Sequence, residues 1–496
     1  MKIVFVYPTY ENLGIEYLSA VLKKQGYQTE LAFDPCLFDD GIRYSRFLKN
    51  IFSFKKYIIN KIIKSQPDLI SFSVISDRYS WACEIAKELR KKTKAPIVFG
   101  GIHPTSRPEE VISNNFVDYV VVGEGEGAIV DLVKRLEKKD DDYRIKNVWL
   151  KRNGQIIKNE LRDLIQDLDS LPFPDKDLYS KEHTDFKGQY TVITSRGCPF
   201  SCTYCCNNFL KKLYQGKGEY YRYRSVGNVI EELKFAKEKY KINAVLFFDE
   251  ELFFETERAK RLFSLYKKEI NLPFVCSLNP QIMDEEKIDL LENNGCHEVG
   301  LGIQDLDPGI NRTILRRNIK LEHLKRIIKK MQKTKILVTI YIMLGLPTQK
   351  EKNLMDMINF FNENRVDFHF LFWTRYYPKT EIIDIAIREG ALQKNEFDKL
   401  NSCAFYLRGS TYNPRFAKLG NLFFLCCLLP KCLIRLIVKK RIYEYFPPTL
   451  FTFFFSRCIE LKMIFQRLLG IRKKRLYFFN RRLFYLYHFR KWLKTL

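Results

Sequence analysis

The stretch TSRGCPFSCTYCCNN, residues 194–208, places four cysteines within nine residues. Cys198, Cys202 and Cys205 follow a Cys-x3-Cys-x2-Cys spacing, and Cys206 interrupts it. A closed zinc site takes four nitrogen or sulfur ligands, usually in two pairs, and no second pair lies near this one in the sequence. An iron–sulfur cube that only carries electrons also takes four cysteines. Three regularly spaced thiolates therefore predict a cube with one iron open to another ligand.

The residues around these cysteines are suited to a loop wrapped around such a cube. YTVITSRG, residues 190–197, is a β-rich run that ends at the motif. Gly197 and Pro199 are expected to shape the turn, and Tyr204 to supply an aromatic wall. Cys206 is interpreted as a bystander, and a zinc or purely structural site is the alternative to the cube.

Length and cysteine usage indicate a large intracellular protein. The chain has 496 residues, 46% of them hydrophobic and 29% charged, so we expect two or three folded domains. Its 13 cysteines are scattered and do not resemble a secreted disulfide framework. MKIVFVYP at the start is interpreted as a buried first strand and not as a secretory signal. A reduced, cytoplasmic environment is the expectation.

Residues 1–140 alternate short β-rich runs with amphipathic helical patterns. The runs KIVFVYP (2–8), DLISFSV (68–74), PIVFGG (96–101) and DYVVVGEGE (118–126) each precede a helical pattern. This alternation predicts an α/β fold with a doubly wound parallel sheet of the Rossmann or flavodoxin-like type. Ligands of such sheets bind beyond the carboxyl ends of the strands. Glycines in those turns either let backbone N–H groups approach a large ligand or simply make tight turns.

Two segments of this region resemble the cobalamin-binding domain found in front of many radical S-adenosylmethionine (SAM) enzymes. They are VFGGIHPTSRPEEVI (98–112) and VDYVVVGEGEGAIVDLV (117–133), and LIQDLDSLPFPDKDLY (164–179) is similar to the connector of those proteins. The Asp-x-His-x-x-Gly signature of a histidine lower ligand is absent, so the resemblance implies cobalamin held without histidine ligation. It implies a cobalamin-binding domain over residues 1–140 and a connector over residues 141–185. The implied cofactor-binding residues end the strands: Ser73, Gly100, Gly101, His103, Gly123, Glu124, Gly125 and Glu126.

The cysteine motif itself is the signature of the radical SAM superfamily, and the resemblance continues far beyond it. NAVLFFDEELF (243–253) resembles the second strand of the family's core, and HEVGLGIQDLDPGINRTILRRN (297–318) the fourth. VTIYIMLGLPTQKE (338–351) and LFWTRYYPKTEI (371–382) resemble the fifth and sixth. The implied fold of residues 186–400 is a partial (β/α)6 barrel of the TIM type, with its active site at the carboxyl ends of the strands.

The resemblance also implies roles for residues at the motif and at the second strand. Cys198, Cys202 and Cys205 would hold a [4Fe–4S] cluster whose fourth iron is chelated by the amino and carboxylate groups of SAM. Asp249 and Glu250 end the second strand, where the family contacts the SAM amino group. The alternative is that these two carboxylates cap a helix or form local ion pairs.

Further roles are implied at the fourth and fifth strands. Gln304 and Asp305 end the fourth strand, near the expected ribose. Arg317 falls where a family arginine meets the SAM carboxylate, and Arg316 is an equal candidate by spacing. The chain departs from the family pattern at GIQDL (302–306) and at GLPTQ (345–349), where Thr348 stands in place of a glycine.

The activity implied is reductive cleavage of SAM to a 5′-deoxyadenosyl radical, with the cofactors carrying the chemistry. With cobalamin present, we expect methylation of an unactivated carbon in a hydrophobic small molecule. An electron donor such as flavodoxin or ferredoxin is implied, and no catalytic acid–base pair is identified. One alternative is a radical cyclase or rearrangement enzyme that transfers no methyl group. Another is a non-catalytic iron–sulfur protein that binds a membrane or RNA.

Residues 401–496 form a basic, aromatic tail. They hold 20 Lys and Arg against two acidic residues, which gives +18 of the chain's net +26. No uncharged run reaches the ~18–20 residues of a spanning helix, and Lys431, Arg435 and Lys439 recur at helical spacing. We predict helices lying on a membrane, so that a cytoplasmic protein binds peripherally to the inner face of the cell membrane. A helical cap on the barrel is one alternative, and nucleic-acid binding is another, which the density of large apolar residues disfavours.

Overall fold

The computed structural model describes residues 1–39, 45–140, 142–180, 182, 188–394, 411–448, 454–455, 458–459, 461–462 and 481–493. Within them the chain forms two α/β units, each around its own apolar core. Helices from the C-terminal region pack on both units.

The N-terminal unit is a seven-stranded sheet of order β2-β1-β3-β4-β5-β6-β7. Its strands are β1 Lys2–Pro8, β2 Gln28–Asp34, β3 Leu69–Ser73, β4 Ile97–Gly100, β5 Tyr119–Val121, β6 Val148–Arg152 and β7 Gln155–Lys158. The first five strands are parallel, which confirms the predicted doubly wound sheet. The antiparallel hairpin β6–β7 comes from the start of the predicted connector and extends this sheet.

Helices cover this sheet, which explains why its central strands are continuous apolar runs. They are α1 Leu13–Lys24, α2 Arg46–Ile51, α3 Lys55–Ser65, α4 Tyr79–Arg90, α5 Ile102–Ser106, α6 Pro108–Ser113 and α7 Glu126–Lys138. The connector adds the short helix α8 Asp177–Ser180. Asn12 shows how local sequence starts an element: its side chain accepts from the backbone N–H of Ile15 at 3.0 Å and caps α1.

The second unit is a six-stranded parallel sheet whose strands neighbour one another in chain order, from β8 to β15. Its strands are β8 Gln189–Val192, β11 Ala244–Phe247, β12 Phe274–Leu278, β13 Cys296–Gln304, β14 Leu337–Leu344 and β15 Phe368–Trp373. A two-residue pair, β9 Ser195–Arg196 with β10 Arg222–Tyr223, stands beside it. The helices are α9 Cys206–Leu213, α10 Val226–Tyr240, α11 Thr256–Glu269, α12 Glu285–Asn293, α13 Leu321–Gln332, α14 Glu351–Glu363 and α15 Ile382–Arg388. This is the predicted partial (β/α)6 barrel.

The described C-terminal helices are α16 Pro414–Leu428, α17 Lys431–Lys439 and α18 Arg481–Leu493. Helix α16 packs on β15 and α14, where Phe423 and Phe424 are fully buried. Helix α18 lies on the N-terminal unit, where the buried His488 ring stands 5.8 Å from the ring of Phe33. Among the described residues, no helix has both the length and the apolar character needed to cross a membrane.

The two sheets meet at their carboxyl edges. Asp77, just after β3, forms an ion pair with Arg375, just after β15. Glu124, just after β5, forms another with Arg222 of β10. Because ligands of both fold types bind at these edges, the two predicted cofactor regions face each other.

Candidate functional site

The cysteine loop runs from β8 to α9 and is fixed at several points. Ser195 and Arg196 pair with β10 just before the first cysteine. Thr203 is buried in the middle of the loop: its N–H donates to the Leu315 carbonyl at 3.4 Å, and its own carbonyl accepts from Ile382 N–H at 3.0 Å. The loop therefore has a defined shape at the carboxyl end of the barrel.

The three predicted cluster thiols share one electrostatic environment. Burial raises the pKa of Cys198 to about 12, and the Glu250 carboxylate and the other two thiols add to the rise. Burial also raises the pKa of Cys202. A hydrogen bond from the Cys206 thiol lowers the pKa of Cys205 to about 7, against the effect of burial. Cys206, interpreted as a bystander from sequence, is thus a hydrogen-bond donor to a predicted ligand.

The donor chemistry of this loop fits the predicted cube. Within the described part of the chain, no three His, Cys, Asp or Glu side chains converge on a point that would hold a single metal ion. In an iron–sulfur cube each cysteine binds a different iron, so its ligands stand apart around the cube. Three thiols on one loop are a suitable donor set because cysteine sulfur is the ligand that iron–sulfur clusters take.

Asp249, which is predicted to contact the SAM amino group, joins two strand ends by hydrogen bonds. Its Oδ1 accepts from Thr194 N–H at 2.8 Å, from Thr194 Oγ1 at 3.0 Å and from Ser195 Oγ at 2.6 Å. Burial raises the pKa of Asp249, and these hydrogen bonds oppose the rise. The end of β11 is thereby joined to the residues that lead into the cysteine loop. Its Oδ2 is buried without a hydrogen-bond partner among the described residues.

Glu250, the second carboxylate predicted there, lies beside the thiols. By surface area its side chain is exposed, yet desolvation raises its pKa, with a hydrogen bond from Asn207 opposing the rise. Its charge also raises the pKa of Cys198 and opposes the lowering at Cys205. Of the two carboxylates, Glu250 is therefore the one that faces the cysteine loop with its side chain available.

Gln304 and Asp305, predicted near the ribose, end β13 in different ways. Gln304 has a φ of +70°, an uncommon conformation for a residue other than glycine, and its Oε1 is buried without a described partner. Asp305 is fully buried and accepts from Gln349 Nε2 at 2.6 Å, while Gln349 Oε1 accepts from Gly345 N–H at 2.7 Å. Burial raises the pKa of Asp305 to about 6. Gln304 is thus open to a ligand contact, whereas Asp305 supports the neighbouring turn.

The structure distinguishes Arg317 from Arg316. By sequence spacing alone, the two are equal candidates for the contact with the SAM carboxylate. Arg317 is only 7% exposed and donates to Tyr204 Oη at 2.9 Å and to Asn279 Oδ1 at 3.0 Å. Its Nε is buried without a described hydrogen-bond partner. The Arg316 side chain is 53% exposed and pairs with Glu381 at 2.6 Å on the surface. Arg317 is therefore the arginine directed at the cysteine loop.

Glu251 and Asn279 were missed by the sequence reasoning. Glu251 is fully buried and accepts from the backbone N–H groups of Phe253 at 3.1 Å and Asn279 at 3.0 Å. Burial raises the pKa of Glu251 to about 7. Asn279 in turn accepts a hydrogen bond from Arg317, so the Glu251 carboxyl supports Arg317 through Asn279. The available signal was a third consecutive acid after an apolar strand.

In the N-terminal unit, the predicted cofactor residues Ser73 and Gly100 end β3 and β4 side by side. Gly101 follows with a φ of +99°. A Cβ on Gly101 would lie 2.9 Å from both the backbone N and O of Val74, so close packing inside the domain requires glycine here. These residues form one rigid stretch of the carboxyl edge.

His103, also predicted to bind the cofactor, is part of the domain core. Its ring is 1% exposed, lies 4.1 Å from the ring of Tyr79, and has Nδ1 at 3.1 Å from Ser76 Oγ. Burial lowers the pKa of His103 to about 4, so the imidazole is neutral. It is the single histidine of residues 1–140.

The turn Gly123–Glu126 lies between the two units. Its carboxylates, predicted to meet the cofactor, form ion pairs with the barrel: Glu124 with Arg222 at 2.8 Å, and Glu126 with Arg196 at 2.6 Å. Sequence patterns do not reveal such pairs, because the arginines lie far along the chain in another domain.

The described residues fit the implied cofactors. Asp249 Oδ2, Gln304 Oε1 and Arg317 Nε are buried polar atoms without described partners around the cysteine loop. Such atoms are costly unless a ligand satisfies them, and together they offer acceptors and a donor to the polar groups of SAM. Across from them, the N-terminal edge offers Ser73, exposed Ile75 and glycine backbone, which suits a large organic cofactor.

Comparison with known proteins matches both units. The radical SAM superfamily is matched over residues 192–361, and the B12 binding domain over residues 3–133. An uncharacterized methyltransferase of Pyrococcus horikoshii is 29% identical over 343 residues, which are 67% of this chain and 72% of that protein. An anaerobic magnesium-protoporphyrin IX monomethyl ester cyclase of Cereibacter sphaeroides is 27% identical over 271 residues, 51% of this chain and 41% of the cyclase.

A solved structure shows the same architecture. It is a radical SAM methyltransferase from Kitasatospora setae with a tryptophan substrate and a SAM analogue bound. The TM-score is 0.61 at 18% identity, over 78% of this chain and 76% of that one, so the likeness concerns the fold. With the family matches, it confirms the predicted order of a B12-binding sheet followed by a radical SAM barrel. The chain therefore belongs to the radical SAM superfamily and is a radical SAM enzyme with a B12-binding domain in front of its barrel.

Proposed function

We propose that this enzyme transfers a methyl group to a carbon atom of an apolar small molecule, using cobalamin and SAM. The observation that carries the proposal is the meeting of the two carboxyl edges, with the cysteine loop on one side and the Ser73–Gly101 edge on the other. The methyltransferase names of the Pyrococcus and Kitasatospora proteins support methyl transfer. The cyclase relative supports the alternative, a radical reaction without methyl transfer.

In this proposal Cys198, Cys202 and Cys205 hold the [4Fe–4S] cluster. When bound, the cluster and SAM supply a 5′-deoxyadenosyl radical through one-electron reduction, and cobalamin supplies the methyl group. The fixed loop around Thr203 keeps the three sulfur atoms in place.

Three further side chains would orient SAM. Arg317 is a buried cation whose planar fork matches a carboxylate, so we assign it to the carboxylate of SAM. Glu250 is the available carboxylate beside the thiols and is assigned to the amino group. Gln304 has a free amide oxygen at the end of β13 and is assigned to a ribose hydroxyl. Asp249 Oδ1 and Asp305 hold the strand ends on which these residues stand, and Asp249 Oδ2 offers a second acceptor to the amino group.

An aromatic wall inside the barrel supports an apolar substrate. The ring of Tyr341 lies 6.1 Å from that of Phe370 and 6.0 Å from that of Phe372. Since the alternate residues of β14 belong to the outer core, Tyr341 faces the barrel interior. Ser277 on a neighbouring strand is exposed. The Tyr341 ring fills the space beside Gly300, where a Cβ would lie 2.5 Å from it.

The test uses the full-length protein, reconstituted anaerobically with cluster and cobalamin and reduced in the presence of methyl-labelled SAM. An organic-solvent extract of cellular small molecules serves as the substrate mixture. We expect 5′-deoxyadenosine and an extractable product that carries the label, and neither from Cys202→Ala. A changed but unlabelled product would favour the cyclase-type alternative. An intact cluster that forms no 5′-deoxyadenosine would contradict the proposed activity.

We also propose a peripheral contact with anionic lipid through α17 and the residues after it. Leu433 and Leu436 are 43% and 46% exposed, and Lys439, Lys440 and Arg441 stand exposed at the end of the same helix. Exposed apolar residues rimmed by cations fit a negatively charged lipid surface. This is narrower than the tail-wide surface predicted from composition.

The predicted cationic stripe of α17 is partly used inside the protein. Lys431 and Arg435 both pair with Glu363 of α14, at 3.3 and 2.8 Å. Deleting residues 401–496 would also remove the buried α16, so point variants are the better test. We expect the double variant Leu433→Gln, Leu436→Gln to co-sediment less with phosphatidylserine vesicles than the wild type. The control is Leu265→Gln, at an exposed leucine of α11, which should leave co-sedimentation unchanged. Equal binding by all variants would contradict the lipid contact.

A further inference from the structure

The turn Gly123–Glu126 docks the B12-binding domain on the barrel through charge. Glu124 Oε1 lies 2.8 Å from Arg222 Nη2 and 3.4 Å from Arg196 Nη1, and Glu124 Oε2 accepts from Ile165 N–H at 3.0 Å. Glu126 Oε1 lies 2.6 Å from Arg196 Nη2. Both carboxylates of the turn are thus engaged by arginines of the other unit.

The same turn also docks through shape. Gly123 has a φ of +83°, and a Cβ on it would lie 1.8 Å from Tyr214 Oη. The Glu124 N–H donates to that hydroxyl at 2.7 Å. Tyr214 follows α9, the helix that begins just after Cys205. The space a side chain would fill is therefore occupied by the partner domain and not left open for a ligand.

The two arginines are part of the structure that carries the cysteine loop. Arg196 and Arg222 face each other across the β9–β10 pair, and Arg196 is followed by Gly197 and Cys198. The Arg196 guanidinium also lies 5.2 Å from the centre of the Tyr17 ring on α1. A displacement of the turn would therefore be passed directly to the first predicted cluster ligand.

The ion pairs between the turn and the barrel are largely buried, which makes their loss costly. The side chains of Arg222 and Glu124 are 5% and 18% exposed, so their charges are largely withdrawn from water. Burial alone would raise the pKa of Glu124, but the charges and hydrogen bonds of Arg222 and Arg196 outweigh it and lower the pKa. Removing one partner of such a pair leaves an uncompensated charge, which costs more than the loss of an exposed pair.

We propose that Glu124 and Glu126 are positioning residues that fix the B12-binding domain against the cysteine loop through Arg196 and Arg222, and so set the separation of the two cofactor sites. The inference rests on the proposed function only in that both cofactors bind. In this proposal the turn contacts the barrel, whereas the sequence predicts that the turn contacts cobalamin itself.

The experiment compares Glu124→Gln, Arg222→Gln and the double variant in the full-length protein with cluster and cobalamin. Hydrogen–deuterium exchange is followed in residues 195–197, 222–224 and 123–126, together with the cobalamin dissociation constant and iron content. We expect exchange in all three segments to rise about tenfold or more in either single variant, and the double variant to be no worse than the singles. Cobalamin affinity and iron content should stay within about twofold of the wild type.

The experiment has a control variant and two outcomes that would contradict the inference. Glu109→Gln removes an exposed pair with Lys158 in the same domain and should change none of these readouts. Should a glutamine variant at position 124 fold poorly, Glu126→Gln gives the same comparison through Arg196 alone. Unchanged exchange in residues 195–197 and 222–224 would overturn the inference. So would a loss of cobalamin affinity confined to the Glu124 variant, which would indicate a direct cofactor contact. These readouts need no turnover, so a failure of the proposed activity would be seen separately, as the absence of 5′-deoxyadenosine.

Discussion

Thr348 occupies a backbone position that favours glycine. Its φ is +63°, in the left-handed region, where a β-branched side chain clashes with its own backbone at a cost of about 1–2 kcal/mol. The turn is nevertheless held, because Gln349 Oε1 accepts from Gly345 N–H at 2.7 Å. The departure from the family pattern noted in the sequence therefore places a strained residue in this turn.

We expect Thr348→Gly to raise the free energy of unfolding by about 1 kcal/mol, since the strain is relieved and the exposed side chain makes little contribution. Thr348→Ala, which loses the β-branch but keeps a Cβ, should stabilise the protein less. Urea unfolding of the purified protein measures both values. A glycine variant less stable than the wild type would show that the side chain has a supporting role.

Arg317 and Arg316 offer a matched pair of substitutions. Arg317→Lys should weaken binding of labelled SAM to the cluster-loaded protein by about tenfold or more, because a lysine cannot reproduce the buried, forked contacts to Tyr204 and Asn279. Arg316→Lys keeps the charge on an exposed side chain and should change binding by less than about twofold. Equal effects of the two variants would contradict the assignment.

Spacing could not choose between these two arginines, because adjacent residues point to different sides according to the local backbone. Arg316 has a φ of +54°, which turns the chain so that the next side chain enters the protein. In contrast, Cys198, Cys202 and Cys205 can be predicted as cluster ligands without a structure, since the loop that joins them is short and their spacing is itself the signature.

At the scale of elements, α16 shows why apolar composition is ambiguous. The helix is buried over most of its surface and packs on β15 and α14. A helix that is apolar on nearly all sides must be buried, but composition does not say whether protein or lipid covers it. Of the interpretations of the tail, the helical cap applies to α16. The proposed lipid contact concerns α17, whose exposed apolar residues support it.

The junction of α16 with β15 should make the protein sensitive to acid. His369 lies 3.2 Å from Cys427 Sγ of α16, and burial lowers its pKa to about 3. The unfolded state, with a pKa of about 6.5, then binds protons more readily as the pH falls, so stability is lost below that value. Between pH 7 and pH 5 we expect a loss of about 2 kcal/mol from this group.

Urea unfolding at several pH values measures this effect. His369→Gln should lose about 2 kcal/mol less stability than the wild type over the same interval. The buried His103, whose pKa is lowered to about 4, remains in both proteins and is the internal reference. Parallel pH profiles for the two proteins would show that His369 does not titrate as described.

At the scale of the whole molecule, Lys176 joins the connector to both units. Its Nζ lies 2.8 Å from Glu11 Oε1 and 2.8 Å from Glu16 Oε2, and Glu11 Oε2 accepts from Thr191 Oγ1 of β8 at 2.9 Å. Burial raises the pKa of Glu16 well above its usual range, and Lys176 opposes the rise. This buried cation is what allows two carboxyl groups to lie between the domains.

We expect Lys176→Met to lower the free energy of unfolding by about 3–5 kcal/mol, because it leaves two buried carboxyl groups without their cation. Lys239→Met removes an exposed pair with Asp177 in the same connector and should change stability by no more than about 0.5 kcal/mol. Guanidinium unfolding compares the two variants. A small effect at Lys176 would mean that Glu11 and Glu16 share a proton and need no cation.

The charge asymmetry of the sequence does not indicate where the helices of residues 401–496 pack. Among the described residues, α16 is part of the barrel core and α18 packs on the N-terminal domain. Net charge reports the composition of a segment, but the partners of its apolar faces depend on contacts between distant parts of the chain.

The amino-acid sequence alone predicts the two α/β units and their order, which the structure confirms, and it predicts the cysteine ligands and the strand ends where cofactors would bind. These follow from periodicity and short spacing, which are properties of neighbouring residues. Contacts made on folding bury Arg317 beside the cysteine loop and leave Arg316 on the surface. They also place Asp249 and Asp305 in hydrogen bonds at the strand ends, and pair Glu124 and Glu126 with arginines of the barrel. Each of those outcomes depends on which distant residue a side chain meets after folding, and burial then sets whether the charge is paired.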